Sequence, residues 1–254
     1  MERTSEILID LRDVKKVYRV GAVDIHALRG VSMQLRRGEI CCVVGRSGSG
    51  KSTLLNMLAG LEGPTSGEIV IARQHVEKMT QGELILFRQK HVGFIFQSFN
   101  LMPYYTAQEN VAFPLVFRGI PKKKRLEMAR EILCAVGLET HLKHKPMQMS
   151  GGQQQRVGIA RALVSNPEII FADEPTGNLD SKTSDEVMHM ICNIARERNK
   201  TLIMVTHDAN MAAFTDKAVH LLDGTITKIE ENESPVIAGQ PAAEHAPEEE
   251  HSGA

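Results

Sequence analysis

The segment that most constrains the fold is Gly45-Arg46-Ser47-Gly48-Ser49-Gly50-Lys51-Ser52, followed directly by Thr53. It matches G-x-x-x-x-G-K-[ST], a loop whose glycines let successive backbone N–H groups face phosphate oxygens. An apolar run, Ile40-Cys41-Cys42-Val43-Val44, precedes it, and Thr53-Leu54-Leu55-Asn56-Met57-Leu58 follows as a helix. A helix N-terminus adds its dipole to an anion site, so strand, loop and helix together point to phosphate binding. The alternative is an ordinary glycine-rich strand-to-helix turn, against which the strand before it and the helix after it favour phosphate binding. In the phosphate reading Lys51 reaches the β- and γ-phosphates of a nucleotide and the Ser52 hydroxyl ligates Mg²⁺.

Three further apolar runs look like buried strands: Val92-Gly93-Phe94-Ile95-Phe96, Ile169-Ile170-Phe171-Ala172 and Leu202-Ile203-Met204-Val205-Thr206. Strands covered on both faces lose period-two alternation, as in parallel sheets. Between them lie helical patterns. Val187, Met190, Ile191, Ile194 and Ala195 make one face, and Leu126, Ala129, Leu133 and Val136 make another that stops at Gly137. The alternation predicts a doubly wound α/β core, broken from about Ser98 to Met149 by a helical insertion. Ile7, Ile9 and Leu11 alternate with less apolar positions, predicting an antiparallel strand with one wet face.

In open α/β sheets ligands bind beyond the carboxyl ends of the strands. Each run ends at a group suited to nucleotide chemistry: Gly45, then Gln97, then Asp173 and Glu174, then His207. Asp173 suits a carboxylate that orients Mg²⁺, and Glu174 a general base that polarises water. A charge pair at a helix start is the other reading of adjacent acids. Gln97 would touch Mg²⁺ or the attacking water, and His207 the γ-phosphate; either alone would read as a structural residue.

Of 254 residues 42% are hydrophobic and 24% charged, which excludes a wholly disordered or fibrous chain. No run has the eighteen or so apolar residues of a membrane span, and Met1-Glu2-Arg3-Thr4-Ser5 lacks a secretory signal's apolar stretch. Any membrane contact is therefore expected to go through a partner. The net charge of −1 hides an asymmetry, since residues 230–254 hold seven glutamates and neither Lys nor Arg. That leaves 30 basic against 24 acidic residues in 1–229, too mild an excess for a nucleic-acid partner. The tail from Glu230 is expected not to pack. Cys41, Cys42, Cys134 and Cys192 lack metal-ligand spacing and read as buried thiols of a reducing cytoplasm, with Cys41 and Cys42 on opposite strand faces. The run Lys122-Lys123-Lys124-Arg125 reads as a solvated helix start rather than a headgroup site.

A second glycine-bearing helix start, Ser150-Gly151-Gly152-Gln153-Gln154, has capping-box spacing between Ser150 and Gln153. It could be a helix start only. Its bare N–H groups would also receive an anion, which makes sense if they serve the nucleotide of another subunit. In this order the motifs resemble the nucleotide-binding domains of the ATP-binding cassette (ABC) family across roughly residues 5–229, with Met149 where that family usually has Leu. The resemblance implies an α/β, ABC-type P-loop ATPase core with an antiparallel β subdomain (together about 5–97 and 165–229) and an inserted α-helical subdomain (about 98–164). It also implies a chain that binds ATP and Mg²⁺. Tyr18 resembles the aromatic that stacks on adenine, Gln97 the glutamine linking the site to a membrane partner, and His207 the switch histidine. Gly177-Asn178-Leu179-Asp180 resembles the loop that crosses to a second copy.

Glu174-Pro175-Thr176-Gly177-Asn178-Leu179-Asp180-Ser181 and Phe96-Gln97-Ser98-Phe99-Asn100-Leu101 resemble the lipoprotein-release and macrolide-export group. Antimicrobial-peptide exporters and the cell-division ATPase that controls cell-wall hydrolases are similar. Polar amino-acid importers usually carry Ser-Ala-Leu in place of Gly177-Asn178-Leu179. The expectation is an ATPase at the cytoplasmic face of the cell membrane, dimerising around two ATP and driving a separate transmembrane permease subunit. Tyr104 or Tyr105 would meet a short helix of that subunit. Three rivals are a mechanical signalling complex with the same ATPase, a soluble ABC protein of DNA repair or translation, and a simple P-loop kinase. The second lacks its usual coiled coils or double cassette here. The third leaves the Ser150 turn and His207 without a role.

Overall fold

The apolar runs and the stretch from Ile7 build two sheets, as a computed structural model describing residues 6–232 together with 235 and 236 shows. The first stretch forms a long hairpin, β1 (Ile7–Val20) and β2 (Val23–Arg36), before β3 (Ile40–Val44) and helix α1 (Lys51–Leu58). Then come β4 (Ser66–Ile71), β5 (Gln74–His75), α2 (Gln81–His91) and β6 (Val92–Ile95). The insertion carries α3 (Ala107–Ala112) and α4 (Lys122–Ala135), and α5 (Gly151–Leu163) returns to β7 (Ile169–Asp173). Helix α6 (Ser181–Glu197) leads to β8 (Thr201–Thr206), β9 (Lys217–Leu222) and β10 (Thr225–Glu231).

One sheet has the order β2-β1-β4-β5 and is antiparallel; the other runs β10-β9-β3-β8-β7-β6. In the second sheet every pairing is parallel except that of β10 with β9. Side chains that alternate across a pleat reach opposite layers. Ile40, Cys42, Ile170, Ala172, Leu202 and Met204 join one core with α3, α4, α5 and α6. Cys41, Val43, Ile169, Phe171, Ile203 and Val205 join the other, with α1, α2 and the antiparallel sheet. The adjacent cysteines thus face opposite ways, as expected. The insertion shares a core with the parallel sheet, because α5 lies over β6: a Cβ on Gly93 would sit 2.4 Å from the Ala162 carbonyl oxygen.

Four expectations change. Ile7 is exposed while Leu8, Ile9, Asp10 and Leu11 are all buried, so β1 has no simple wet face over this stretch. A register irregularity between Ile7 and Ile9 breaks the pleat, and β1 is an inner strand of its sheet. On α6, Met188 and Cys192 are buried beside the expected face, whereas Met190 is only half-buried. Cys134 is exposed, on the wet side of α4, while the other three thiols are buried. Burial pushes Cys42 and Cys192 up to about 12 and Cys41 well above the ordinary thiol value, so these three stay protonated.

The fourth concerns the end of the chain. Glu230 and Glu231 continue β10, pairing with Ala218 and Lys217 of β9. The Asn232 N–H donates to the Asp216 carbonyl at 2.8 Å, Pro235 is buried, and the Val236 N–H donates to the Ala213 carbonyl at 2.9 Å. The packed body therefore runs past Ile229; residues 237–254 lie outside the described residues. A chain ending at Ile229 should melt about 6–12 °C below one ending at Val236, from the loss of about three hydrogen bonds of about 1 kcal/mol each. Equal melting temperatures in thermal denaturation would show that this segment contributes no stability.

Candidate active site

The parallel register brings the strand ends to one edge. Val44 pairs with Thr206, Asp173 with Val205 and Ile95 with Ala172, so the residues that follow them share a rim. The loop after β3 is closed by its own lysine. Lys51 is buried, and its Nζ donates to the carbonyls of Gly45 at 2.8 Å and Arg46 at 2.9 Å. Gly45 is required by close approach, since a Cβ there would lie 2.3 Å from the Leu221 carbonyl oxygen and 2.6 Å from Ser49 Oγ. Gly48 has open space but φ +79°, a conformation that costs any residue bearing a Cβ. Ser49 Oγ is buried without a hydrogen-bond partner among the described residues, a hydroxyl left over inside an anion cradle.

Ser52, at the start of α1, donates its hydroxyl to Asp173 Oδ1 at 3.3 Å. Burial pushes the Asp173 carboxyl up; the Ser52 bond opposes this, the neighbouring Glu174 charge adds to it and Lys51 offsets part. A hydroxyl and a carboxylate beside a phosphate loop are hard oxygen donors of the kind Mg²⁺ takes, so the residues fit that ion. Glu174 sits at φ +42°, uncommon for a residue with a side chain, with its N–H bonded to the Val205 carbonyl at 3.0 Å. That bend turns its carboxylate along the rim, where Oε2 lies 3.1 Å from Nδ1 of the exposed His207. Gln97 Nε2 and Glu174 Oε2 lie 2.7 and 3.2 Å from where a Cβ on Gly177 would be, so amide and carboxylate converge on one spot. A groove of about 400 Å³ opens beside them, lined by Glu174, Thr206, His207, Asp208 and Ser181 among others.

Tyr18 stands near the same loop. Its hydroxyl donates to Glu62 at 2.8 Å and interacts with Thr53, and Lys16 Nζ lies 5.1 Å from its ring centroid. Burial is the first cause raising its pKa. One fold thus gathers Tyr18, the Gly45–Thr53 loop, Gln97, Asp173, Glu174 and His207.

The Ser150 turn lies apart from the groove beside Glu174, whereas Asp180 stands between Leu179 and Ser181 of its lining. Ser150 caps α5 in a reciprocal capping box with Gln153, whose Nε2 is 3.1 Å from His141 Nε2. Its groove, about 250 Å³, is lined by Gly152, Gly137, His141, Arg156, Thr183 and Glu186 among others, with no residue of the phosphate loop. Asp180 caps α6, accepting from the Thr183 N–H at 3.0 Å and hydroxyl at 2.8 Å, which holds its carboxyl below the usual range. Sequence reasoning missed three residues that hold the site. Glu62 anchors Tyr18, Asn178 Nδ2 donates to the Gln97 carbonyl at 3.0 Å, and Arg161 grips the loop after Gln97. Asn178 lay inside a motif already singled out; nothing local marked Glu62 or Arg161.

Comparison with known proteins gives a consistent picture. The ABC transporter family model matches residues 28–177. An ABC transporter ATP-binding protein of Thermotoga maritima is 47% identical over 223 residues, covering 88% of this chain and 95% of that protein. The lipoprotein-releasing system ATP-binding protein LolD of Geobacter metallireducens is 43% identical over 219 residues, covering 86% and 97%. Among solved structures, the cassette MJ0796 of Methanocaldococcus jannaschii, a dimer in a post-hydrolysis state with ADP and Pi, superposes with a TM-score of 0.82. That pair is 42% identical, over 88% of this chain and 98% of the other.

The loop geometry makes a graded prediction. Gly45→Ala should cost about 3 kcal/mol because its Cβ meets backbone that must move. Gly48→Ala should cost about 1 kcal/mol, from conformation alone. Denaturant titration of both variants checks this, and equal losses would show that Gly45 is not held against Leu221.

Proposed function

The chain belongs to the ABC transporter family and is an ATPase of the ABC type, and from that premise we propose that two copies close around two ATP and drive a separate transmembrane subunit. The observation that carries this reading is the Glu174 carboxylate, held at the rim between His207 and Gln97 and next to the Ser52–Asp173 pair. In this mechanism the loop from Gly45 to Thr53 receives the phosphates: backbone N–H groups and the Ser49 hydroxyl donate, and Lys51 turns from its carbonyls to the β- and γ-oxygens. Tyr18, pinned by Glu62, supplies a flat face for the base. Ser52, Asp173 and Gln97 would hold Mg²⁺, which neutralises charge on the phosphates. Glu174 takes a proton from the attacking water and His207 donates to the γ-phosphate.

Ser150, Gly152 and Gln153 line a groove apart from their own phosphate loop, which supports the turn that they form with Gly151 serving the ATP of a second copy. Asp180 belongs to the same contact. The dimer of the MJ0796 cassette supports this assembly. The γ-phosphate is then the contact that separates closed from open states, so hydrolysis releases the pair.

Among the described residues no helix is long and apolar enough to cross a membrane; in the proposed assembly the chain sits at the cytoplasmic face, held by its partner. A groove of about 330 Å³ lined by Tyr105, Phe113, Val116 and Leu126, with Tyr104 and Phe117 exposed nearby, suits a short helix of a permease. The lipoprotein-releasing relative favours an export or release system of the cell envelope, including peptide or macrolide export, over import. The second reading is a mechanical complex with the same ATPase and a partner that transports nothing; the co-purifying membrane protein distinguishes them.

Two experiments test this reading. Tyr105→Asp should abolish assembly with the membrane subunit in pull-down while ATP binding persists; intact assembly would remove the groove as the docking site. Glu174→Gln keeps size but loses the base, and should slow hydrolysis by roughly 10²–10⁴-fold. With ATP and Mg²⁺ it should run as a dimer on size exclusion, whereas Lys51→Ala should stay monomeric. Near wild-type turnover in Glu174→Gln would remove the residue as base.

A further inference from the structure

Arg161, on α5, is half-buried, and among the described residues no carboxylate pairs with it. Burial alone lowers its pKa from the ordinary arginine value. Its guanidinium is spent on backbone instead: Nη2 donates to the Phe99 carbonyl at 2.7 Å and Nη1 to that of Asn100. The ring of Phe96 lies 5.8 Å from the guanidinium carbon. A desolvated cation held by neutral carbonyls is costly unless the arrangement serves something.

What it holds is an unusual bend. Phe99 and Asn100 have consecutive positive φ values of +58° and +48°, just two residues after Gln97. The Phe99 N–H bonds back to the Phe96 carbonyl, so Gln97 and Ser98 sit inside a tight turn. The bend also lies along α5. Phe99 Cζ is 3.9 Å from where a Cβ on Gly151 would be, and the Phe99 carbonyl oxygen is 3.9 Å from where a Cβ on Gly158 would be. One loop residue therefore touches the helix at the Ser150 turn and again two turns later, and Arg161 closes the contact.

We infer that Arg161 is a positioning residue that straps the Gln97 loop to the helix carrying the Ser150 turn, so that the site glutamine and the partner-facing turn move as one body. The inference rests on the proposed function and adds a specific linkage to it. Asn178 holds the Gln97 carbonyl from the crossing loop, and Arg161 holds Phe99 and Asn100 from the helix. Displacement of α5 on dimer closure would then reach Gln97 through backbone rather than through a side-chain chain. Lysine cannot replace the arginine, because a point charge does not present two N–H groups in one plane to two carbonyls.

The test uses the full chain with Arg161→Lys, Asn100→Gly and the double variant. Arg161→Lys should bind ATP within about twofold of wild type, because the phosphate loop is intact, while kcat falls about tenfold from misplacement of Gln97. Glycine adopts positive φ freely, so Asn100→Gly in the Arg161→Lys background should recover about threefold of that loss. The sequence holds no tryptophan, so Phe99→Trp adds a single emission probe at the strap. Arg161→Lys in that background should shift the emission to the red without nucleotide. Unchanged kcat, or a double variant with no recovery, overturns the linkage. An unchanged emission overturns the strap itself, whether or not the chain hydrolyses ATP. Absence of hydrolysis in the wild-type chain would instead sink the functional reading.

Discussion

Parallel pairing of β3 with β8, and of β8 with β7, is the constraint on which the site depends. Parallel strands share a direction, so their carboxyl ends lie at one edge whatever intervenes in sequence. Residues as distant as Gly45, Glu174 and His207 become neighbours through backbone hydrogen bonds alone. The two cores then fix the sheet from both faces, with Cys42 and Met204 against the helices and Cys41 and Val205 against α1 and the antiparallel sheet. A rim held this way is rigid. That matters because the groups on it must meet a phosphate within hydrogen-bond reach.

Three departures from relaxed geometry meet at the rim. Glu174 takes a positive φ, Asp173 is a carboxyl pushed up by burial, and Ser49 buries a hydroxyl with no partner. Each costs stability in isolation, and all three sit around the phosphate loop. Strain and unmet polar groups persist where the surrounding packing over-determines them, and they concentrate at functional sites. Several helix starts elsewhere satisfy their polar groups locally, as in the capping boxes at Thr80, Thr106 and Ser150.

The helix starts at Ser150 and Asp180 show how one residue serves two ends. Within the chain each is a complete cap, bonded to the N–H of Gln153 and Thr183 respectively. As caps they need no ligand, yet they leave other N–H groups of the first turn facing outward. The insertion that carries the Ser150 turn is joined to the sheet core through α5, and Arg161 ties that helix to the loop after Gln97. In the proposed dimer such a half-site would act when a second copy supplies the phosphate.

Much of this was legible before any fold was seen, and the reason is physical. The Gly45–Ser52 loop is a contiguous motif, and the four apolar runs carry their own burial signal. Strands covered on both faces read as strands from residue type alone, so a parallel core with a shared rim could be expected in advance, though not its strand order. The tail boundary was misjudged because Glu230 and Glu231 look solvated in composition, yet their backbone completes the ladder with β9. Cys134 was misjudged because a helix face is decided by neighbours, not by the thiol. By itself the sequence determined the phosphate cradle, the strand ends that carry Asp173, Glu174 and His207, and the Ser150 turn, because each is encoded within a few adjacent residues. Only the tertiary structure decided that Glu62 pins Tyr18, that Asn178 and Arg161 hold the Gln97 loop, and that Ser150 stands away from its own phosphate loop. Those contacts join residues 44 to 81 positions apart, and no local pattern records a distance that long-range packing sets.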